Sequence, residues 1–233
     1  MDTSLYAALG LGFLLGIRHA MDADHVAAVS TLVSQHGSLA RSCLLGTFWG
    51  LGHTLALLAA GIATIALRLS ISPELERTLE KGVGCMLILL GGHVLLRSLA
   101  AWRLHAHEHA HGDHSHRHLH LHPGGANGHH HAHLLRMGSR PFLVGLLHGM
   151  AGSAALMLLV AAAIPSPVGG LLYILVFGAG STMGMLVLSG LIGLPFVVTA
   201  DRSPRALVFI QILAGVTSSV LGLTLLWAPS LVA

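Results

Sequence analysis

An all-α polytopic membrane protein is the fold class the sequence predicts: six transmembrane helices as two inverted three-helix repeats, joined by a disordered His-rich loop. Three observations lead there. The 233 residues are 54% hydrophobic and 9% charged, with a mean hydropathy of +0.77, whereas soluble domains carry roughly 25% charged residues. The apolar residues collect into stretches of spanning length. The two halves of the chain share short motifs in the same order.

A spanning helix needs about 20 apolar residues. Six stretches meet that length: 4–33, 42–68, 79–101, 140–164, 168–199 and 205–228. The first and fifth are long enough to be tilted or broken. The 29 glycines suit close helix packing in lipid. The start, "MDTSLY", lacks a basic n-region, so the first apolar run reads as a mature helix and not as a cleaved signal peptide. Cys43 and Cys85 form no CxxC pair and imply no disulfide framework. The net charge is +3, Lys81 is the single lysine, and no basic tract suits nucleic acid.

The organisation expected is a first repeat over 1–104, a His-rich loop over 105–139 and a second repeat over 140–233. Within the loop, His105, His107, His109, His111, His114, His116, His118, His120, His122, His129, His130, His131 and His133 recur at nearly every second position. Such a segment buries no core and reads as a flexible, weak, multivalent metal buffer. Arg41, Arg97, Arg103, Arg117, Arg136, Arg140, Arg202 and Arg205 fall on one side of the predicted spans; Arg68, Arg77 and Lys81 fall on the other. The positive-inside rule then puts the loop in the cytoplasm of a multi-pass plasma-membrane protein, with both termini outside.

"FLLGIRHAM" (13–21) matches "FLVGLLHGM" (142–150), and "WGLGHT" (49–54) matches "FGAGST" (177–182). Gly84 and Gly91 match Gly215 and Gly222. With three spans per half, the second half must enter the membrane in the opposite sense. Repeats of that sort are common in transporters, whose sites lie at the repeat interface near the midplane.

The sharpest feature is "RHAMDADH", Arg18 to His25, in the middle of the first apolar stretch. Each charge at membrane depth costs about 2.5–3.5 kcal/mol. Arg18 and Asp22, at i and i+4, would form a structural ion pair on one helix face. That pair leaves His19, Asp24 and His25 unexplained. Imidazole and carboxylate together suit a borderline divalent ion, so His19, Asp22, Asp24 and His25 are candidate metal ligands. His19, Asp22 and His25 share one arc of an ideal helix, while Asp24 points elsewhere. For Asp24 to join His19, the helix must unwind there. His53, between glycines, and His148, the repeat mate of His19, are further candidates. His93 is expected to pack in the core. No thiolate joins the set, which disfavours Cu(I).

Other readings compete. His19 to Asp24 also spells H-x4-D, a general-base pair of some acyltransferases, but no second signature accompanies it. A membrane thiol-redox carrier needs a cysteine pair facing one cavity, which Cys43 and Cys85 do not suggest. A metal sensor or binding module is a third. No phosphate-binding GxxxxGK[ST] loop is present.

"RHAMDADH" resembles the H-x4-D-H signature of the nickel/cobalt transporter family, carried here by His19, Asp24 and His25. "LGTFWGLGHT" (45–54) is similar to its glycine-rich second signature, with His53. "HGMAGSAA" (148–155) resembles the UreH-type branch, urease accessory or nickel-permease proteins. The resemblance covers all six spans and not the loop. It implies Ni²⁺ or Co²⁺ as transported ion, with no permanently bound cofactor, and urease or hydrogenase metal-delivery proteins as partners. Better-studied members have eight spans, not six, and related efflux proteins also carry His-rich loops, so the direction of transport stays open.

Overall fold

The structure is a computed structural model describing residues 3–66, 72–101, 105–111, 114–120, 134–150, 161 and 164–227. Its helices are α1 (Thr3–His19), α2 (Ala23–Val33), α3 (Leu39–Gly61, continued by a π-helical turn, Ile62–Ala66), α4 (Pro73–Ala101), α5 (Leu134–His148), α6 (Pro167–Arg202) and α7 (Pro204–Trp227). Among the described residues, α3 with its π turn, α4, α6 and α7 are long and apolar enough to cross a membrane. These spans define a membrane protein.

The first predicted span is two short helices, not one. α1 ends at His19 and α2 begins at Ala23. A tight turn closes the gap, with the N–H of Met21 donating to the carbonyl of Arg18 and that of Asp22 to the carbonyl of His19. Neither glycine nor proline causes this break. Asp22 adopts extended backbone angles at the N-cap of α2, and its carboxylate is drawn to His19 instead of capping the helix. The fifth span, expected to be tilted or broken, is one continuous 36-residue helix despite Pro195. Of the fourth, α5 is described, and 151–160 lie outside the described residues.

Helices α3 and α6 pack against each other in opposite residue order. Gly46 faces Met185 and Ser189, Gly50 faces Thr182, and Gly178 faces Thr54. The hydroxyls of Thr54 and Thr182, which are repeat mates, are 3.1 Å apart, and that of Thr54 also donates to the carbonyl of Gly178. Helices α4 and α7 likewise run in opposite order, Gly84 against Gly222 and Gly91 against Gly215. Helix α1 packs on α6, and α5 on α3, in the same residue order. Each of these two contacts repeats the other. A Cβ at Gly16 would strike the Phe177 carbonyl, as one at Gly145 would strike that of its mate, Trp49. Gly180 meets the carbonyl of Phe13, as Gly52 meets that of Phe142. Small residues at these crossings let backbones touch, the usual source of helix association in lipid. Trp49, Met185, Leu45, Leu87 and Phe196 form the main apolar core.

Between α4 and α5, where a structureless loop was expected, β1 (His105–His111) pairs antiparallel with β2 (His114–His120). Strict alternation has the period of a strand, and the register sets His105 opposite His120, His107 opposite His118, His109 opposite His116 and His111 opposite His114. His122, His129, His130, His131 and His133 lie outside the described residues.

Candidate metal centre

The break after α1 gathers the histidines. His19 is the last residue of α1, Asp24 and His25 open α2, His53 lies within α3, and His148 ends α5. His19, His25, His53 and His148 are all buried, at 8%, 1%, 1% and 1% relative exposure. Their ring centroids lie between 4.2 and 6.2 Å apart in the contacting pairs. The carboxylates are more open, Asp22 being 44% and Asp24 25% exposed at the side chain. Four imidazoles thus form a buried knot whose acidic edges reach the surface.

The hydrogen bonds assign the ring nitrogens. His19 Nδ1 lies 2.8 Å from Asp22 Oδ2. A carboxylate only accepts, so the proton is on Nδ1, and His19 Nε2 turns its lone pair inward. That nitrogen lies 3.0 Å from His53 Nε2. His25 Nδ1 donates to Asp24 Oδ1 at 2.9 Å, and His148 Nε2 donates to Asp24 Oδ2 at 2.9 Å. His25 Nε2, His53 Nδ1 and His148 Nδ1 are buried with no hydrogen-bond partner. Unpartnered buried polar atoms are costly, and three in one knot call for a ligand. The carboxylate–imidazole pairs are the arrangement that orients metal-binding histidines and raises their basicity. Asp24 also sits in the first turn of α2, where the helix dipole favours negative charge.

Of the residues singled out in the sequence, His19, Asp22, Asp24, His25, His53 and His148 are therefore brought together. The Arg18–Asp22 ion pair is not formed. Asp22 binds His19 instead, because the break at residues 20–22 removes the continuous helix face on which an i, i+4 pair depends. Arg18 is exposed. His93 is exposed on α4, not packed in the core. Cys43 and Cys85 are both free, on different helices. Trp49 was missed. It stacks on His25 at 5.3 Å and meets His148 edge-on at 5.6 Å, while its mate Phe177 lies 5.4 Å from His19. The signal was available, since Trp49 lies one helical turn before His53 and shares its face. Ser181, the mate of His53, is also buried with an unpartnered hydroxyl.

A helical membrane protein with a buried His/Asp knot at a helix break is the class that fold and site define. Comparison with known proteins narrows it. Residues 5–204 match the family described as NicO, high-affinity nickel-transport protein, and the chain belongs to that family. It is 42% identical over 226 residues to the urease accessory protein UreH of Bacillus sp. (strain TB-90), covering 95% of this chain and 91% of that one. It is 23% identical over 207 residues to the chloroplast protein FOR GROWTH AND FERTILITY 2 of Arabidopsis thaliana, covering 88% of this chain and 52% of that one. No solved structure gives a significant match.

Proposed function

We propose that this protein carries Ni²⁺, and Co²⁺ as a close competitor, across the plasma membrane through the His/Asp knot, with uptake the favoured direction. The observation that carries the reading is the convergence of His19, His25 and His53, whose ligand atoms all lie within 4.8 Å of one another. Three inward-facing imidazoles leave room for water or a further donor, as an open metal site requires. Asp22 and Asp24 orient His19 and His25 and give a cation a negative approach. Nitrogen donors without thiolate suit a borderline ion such as Ni²⁺ or Co²⁺. In the protein without its ion, one N–H satisfies the contact between His19 and His53; a cation between them needs both lone pairs, so His53 then carries its proton on Nδ1.

The packing supports an inverted-repeat reading. Mates α3 and α6, and mates α4 and α7, lie against each other in opposite residue order, and the α1–α6 contact is repeated by α5–α3. Six spans follow if α1 with α2, and the apolar stretch that the sequence predicts over 140–164, each traverse the bilayer once. The knot then lies near the midplane, between halves that rock around it. A divalent ion moving inward gains about 4.6 kcal/mol per 100 mV of potential, twice the value for one charge, so the potential alone can drive uptake. Efflux would need a coupling ion or a steep gradient. The His-rich segment, on the cytoplasmic side with the termini outside, buffers arriving ions. The likeness to a urease accessory protein makes urease metal-delivery proteins, with those of hydrogenase as the alternative, the proposed recipients.

The experiment is nickel accumulation in cells carrying His19→Ala or His25→Ala at normal membrane levels. Accumulation is expected to vanish in both. Normal accumulation in both overturns the reading.

A further inference from the structure

The site residues divide into two overlapping groups of three. His19, His25 and His53 bring ligand atoms within 4.8 Å of one another, and so do Asp24, His25 and His148. His25 belongs to both. The two outlying rings, His53 and His148, are 6.2 Å apart, while His25 lies 5.2 Å from the first and 4.2 Å from the second.

We infer that the ion passes through two successive stations that share His25: a first made by His19, His25 and His53, and a second made by Asp24, His25 and His148. The inference rests on the transport reading above and deepens it. Four features of the geometry carry it.

The stations differ in readiness. At the first, His25 Nε2 is buried without a partner, and the His19 Nε2 lone pair meets the N–H of His53 Nε2. At the second, Asp24 Oδ1 accepts from the backbone and ring N–H groups of His25, and Oδ2 from the ring of His148. An ion settling at the first station displaces the His19–His53 contact and leaves the bonds to Asp24 whole. At the second it must compete with the N–H groups that already hold Asp24.

The stations also exclude each other. One imidazole serves both, and two divalent charges so close in a low-dielectric interior would repel strongly. One ion at a time is the consequence.

Each station has its own acidic edge. Asp22, bonded to His19, borders the first, and Asp24 belongs to the second; both are partly exposed while the rings are buried. Each carboxylate gives its own station a negative, partly exposed border.

The stations differ in origin as well. The first is built from residues before the His-rich segment alone, while His148 comes from α5, after it. Passing the ion to the second station hands it from one half of the chain to the contact between halves. Stepwise exchange through a shared ligand also avoids stripping a full shell at once, and a transported ion must be held weakly enough to leave.

The test is equilibrium ⁶³Ni²⁺ binding and ⁶³Ni²⁺ flux on the same purified full-length protein. The variants are His148→Ala, His148→Gln and His53→Ala, and His148→Gln keeps an N–H for Asp24. Both His148 variants are expected to bind one Ni²⁺ with Kd within about a factor of three of wild type and to lose flux by about tenfold or more. Retained binding also shows that they fold. His53→Ala is expected to weaken binding by about tenfold or more. X-ray absorption of wild-type protein loaded with Ni²⁺ should show three imidazole ligands, and it needs no variant. Four imidazoles, or affinity lost in step with flux in both His148 variants, would make the knot a single shell and overturn the two stations while leaving transport intact. Unchanged flux in both would remove His148 from the route. Wild-type protein that neither binds nor moves Ni²⁺ would overturn the transport reading as well.

Discussion

Replacing Gly16 by alanine adds one methyl group, and the structure fixes what that methyl meets. Its Cβ would run into the carbonyl oxygen of Phe177 and stand 2.8 Å from the Ser181 nitrogen. Both are backbone atoms of α6 and cannot rotate aside. Ordinary contact begins near 3.4 Å, so α1 must move away bodily. Overpacking of that kind costs about 1–3 kcal/mol. Gly10→Ala is the control, because it lies in the same helix with nothing within 4 Å of its Cβ. There the change should help by about 1 kcal/mol through helix propensity. The same propensity gain applies at Gly16 and cancels, so the two variants should differ by the overpacking cost, about 1–3 kcal/mol, which corresponds to roughly 2–12 °C in midpoint for a chain of this size. The assay is the fraction of detergent-solubilised protein still monodisperse after heating. Gly145→Ala, which strikes the Trp49 carbonyl, should fall with Gly16→Ala. Equal midpoints for Gly10→Ala and Gly16→Ala would refute the packing argument, and tolerance at Gly145 alone would refute the equivalence of the two contacts.

Other expectations follow from the site. Asp22 orients His19 and Asp24 orients His25, so Asp22→Asn and Asp24→Asn should each weaken Ni²⁺ binding by about 10–100-fold; titration calorimetry checks it, and unchanged affinity in either would contradict it. Deleting 105–133 should lower the number of Ni²⁺ ions bound per chain and leave flux in place, as equilibrium dialysis beside a flux assay would show. Replacing Cys43 and Cys85 together by alanine should leave nickel flux unchanged, and a loss would revive the thiol-redox reading. Burial holds the His36 imidazole below its ordinary value of 6.5, and Arg41 adds to the effect, against a hydrogen bond to the Leu32 carbonyl. The folded protein therefore binds fewer protons there than the unfolded chain. His36 contributes a loss of stability as pH falls below its unfolded value of about 6.5. His36→Gln should flatten that part of the thermal-midpoint profile, and an unaltered slope would contradict the assignment.

Much of the site was legible because charge inside an apolar stretch has few explanations. The cluster from Arg18 to His25 marked the helix break, and the repeat match placed His148 beside it. The ion pair of Arg18 with Asp22 was misread because i, i+4 geometry presumes a continuous helix, and the helix ends at His19. The roles of the ring nitrogens were not legible at all: they depend on which carboxylate reaches which imidazole across the turn, a matter of dihedral angles. Trp49 escaped notice because an aromatic in an apolar helix looks like filler. Length alone left the fifth span either tilted or broken; α6 runs unbroken through Pro195, as a helix among packed neighbours can. The hairpin of 105–120 was written in the alternation of histidines, where composition alone suggested a flexible loop.

The central claim is that the His/Asp knot lies on the path of a nickel permease. Its most direct test is ⁶³Ni²⁺ flux into proteoliposomes containing the purified protein, with an inside-negative potential imposed or collapsed. Uptake that follows the potential in wild-type protein and disappears in His19→Ala is the predicted result. Wild-type protein that binds Ni²⁺ but passes none in either state would contradict the account and leave the chain a metal-binding membrane protein.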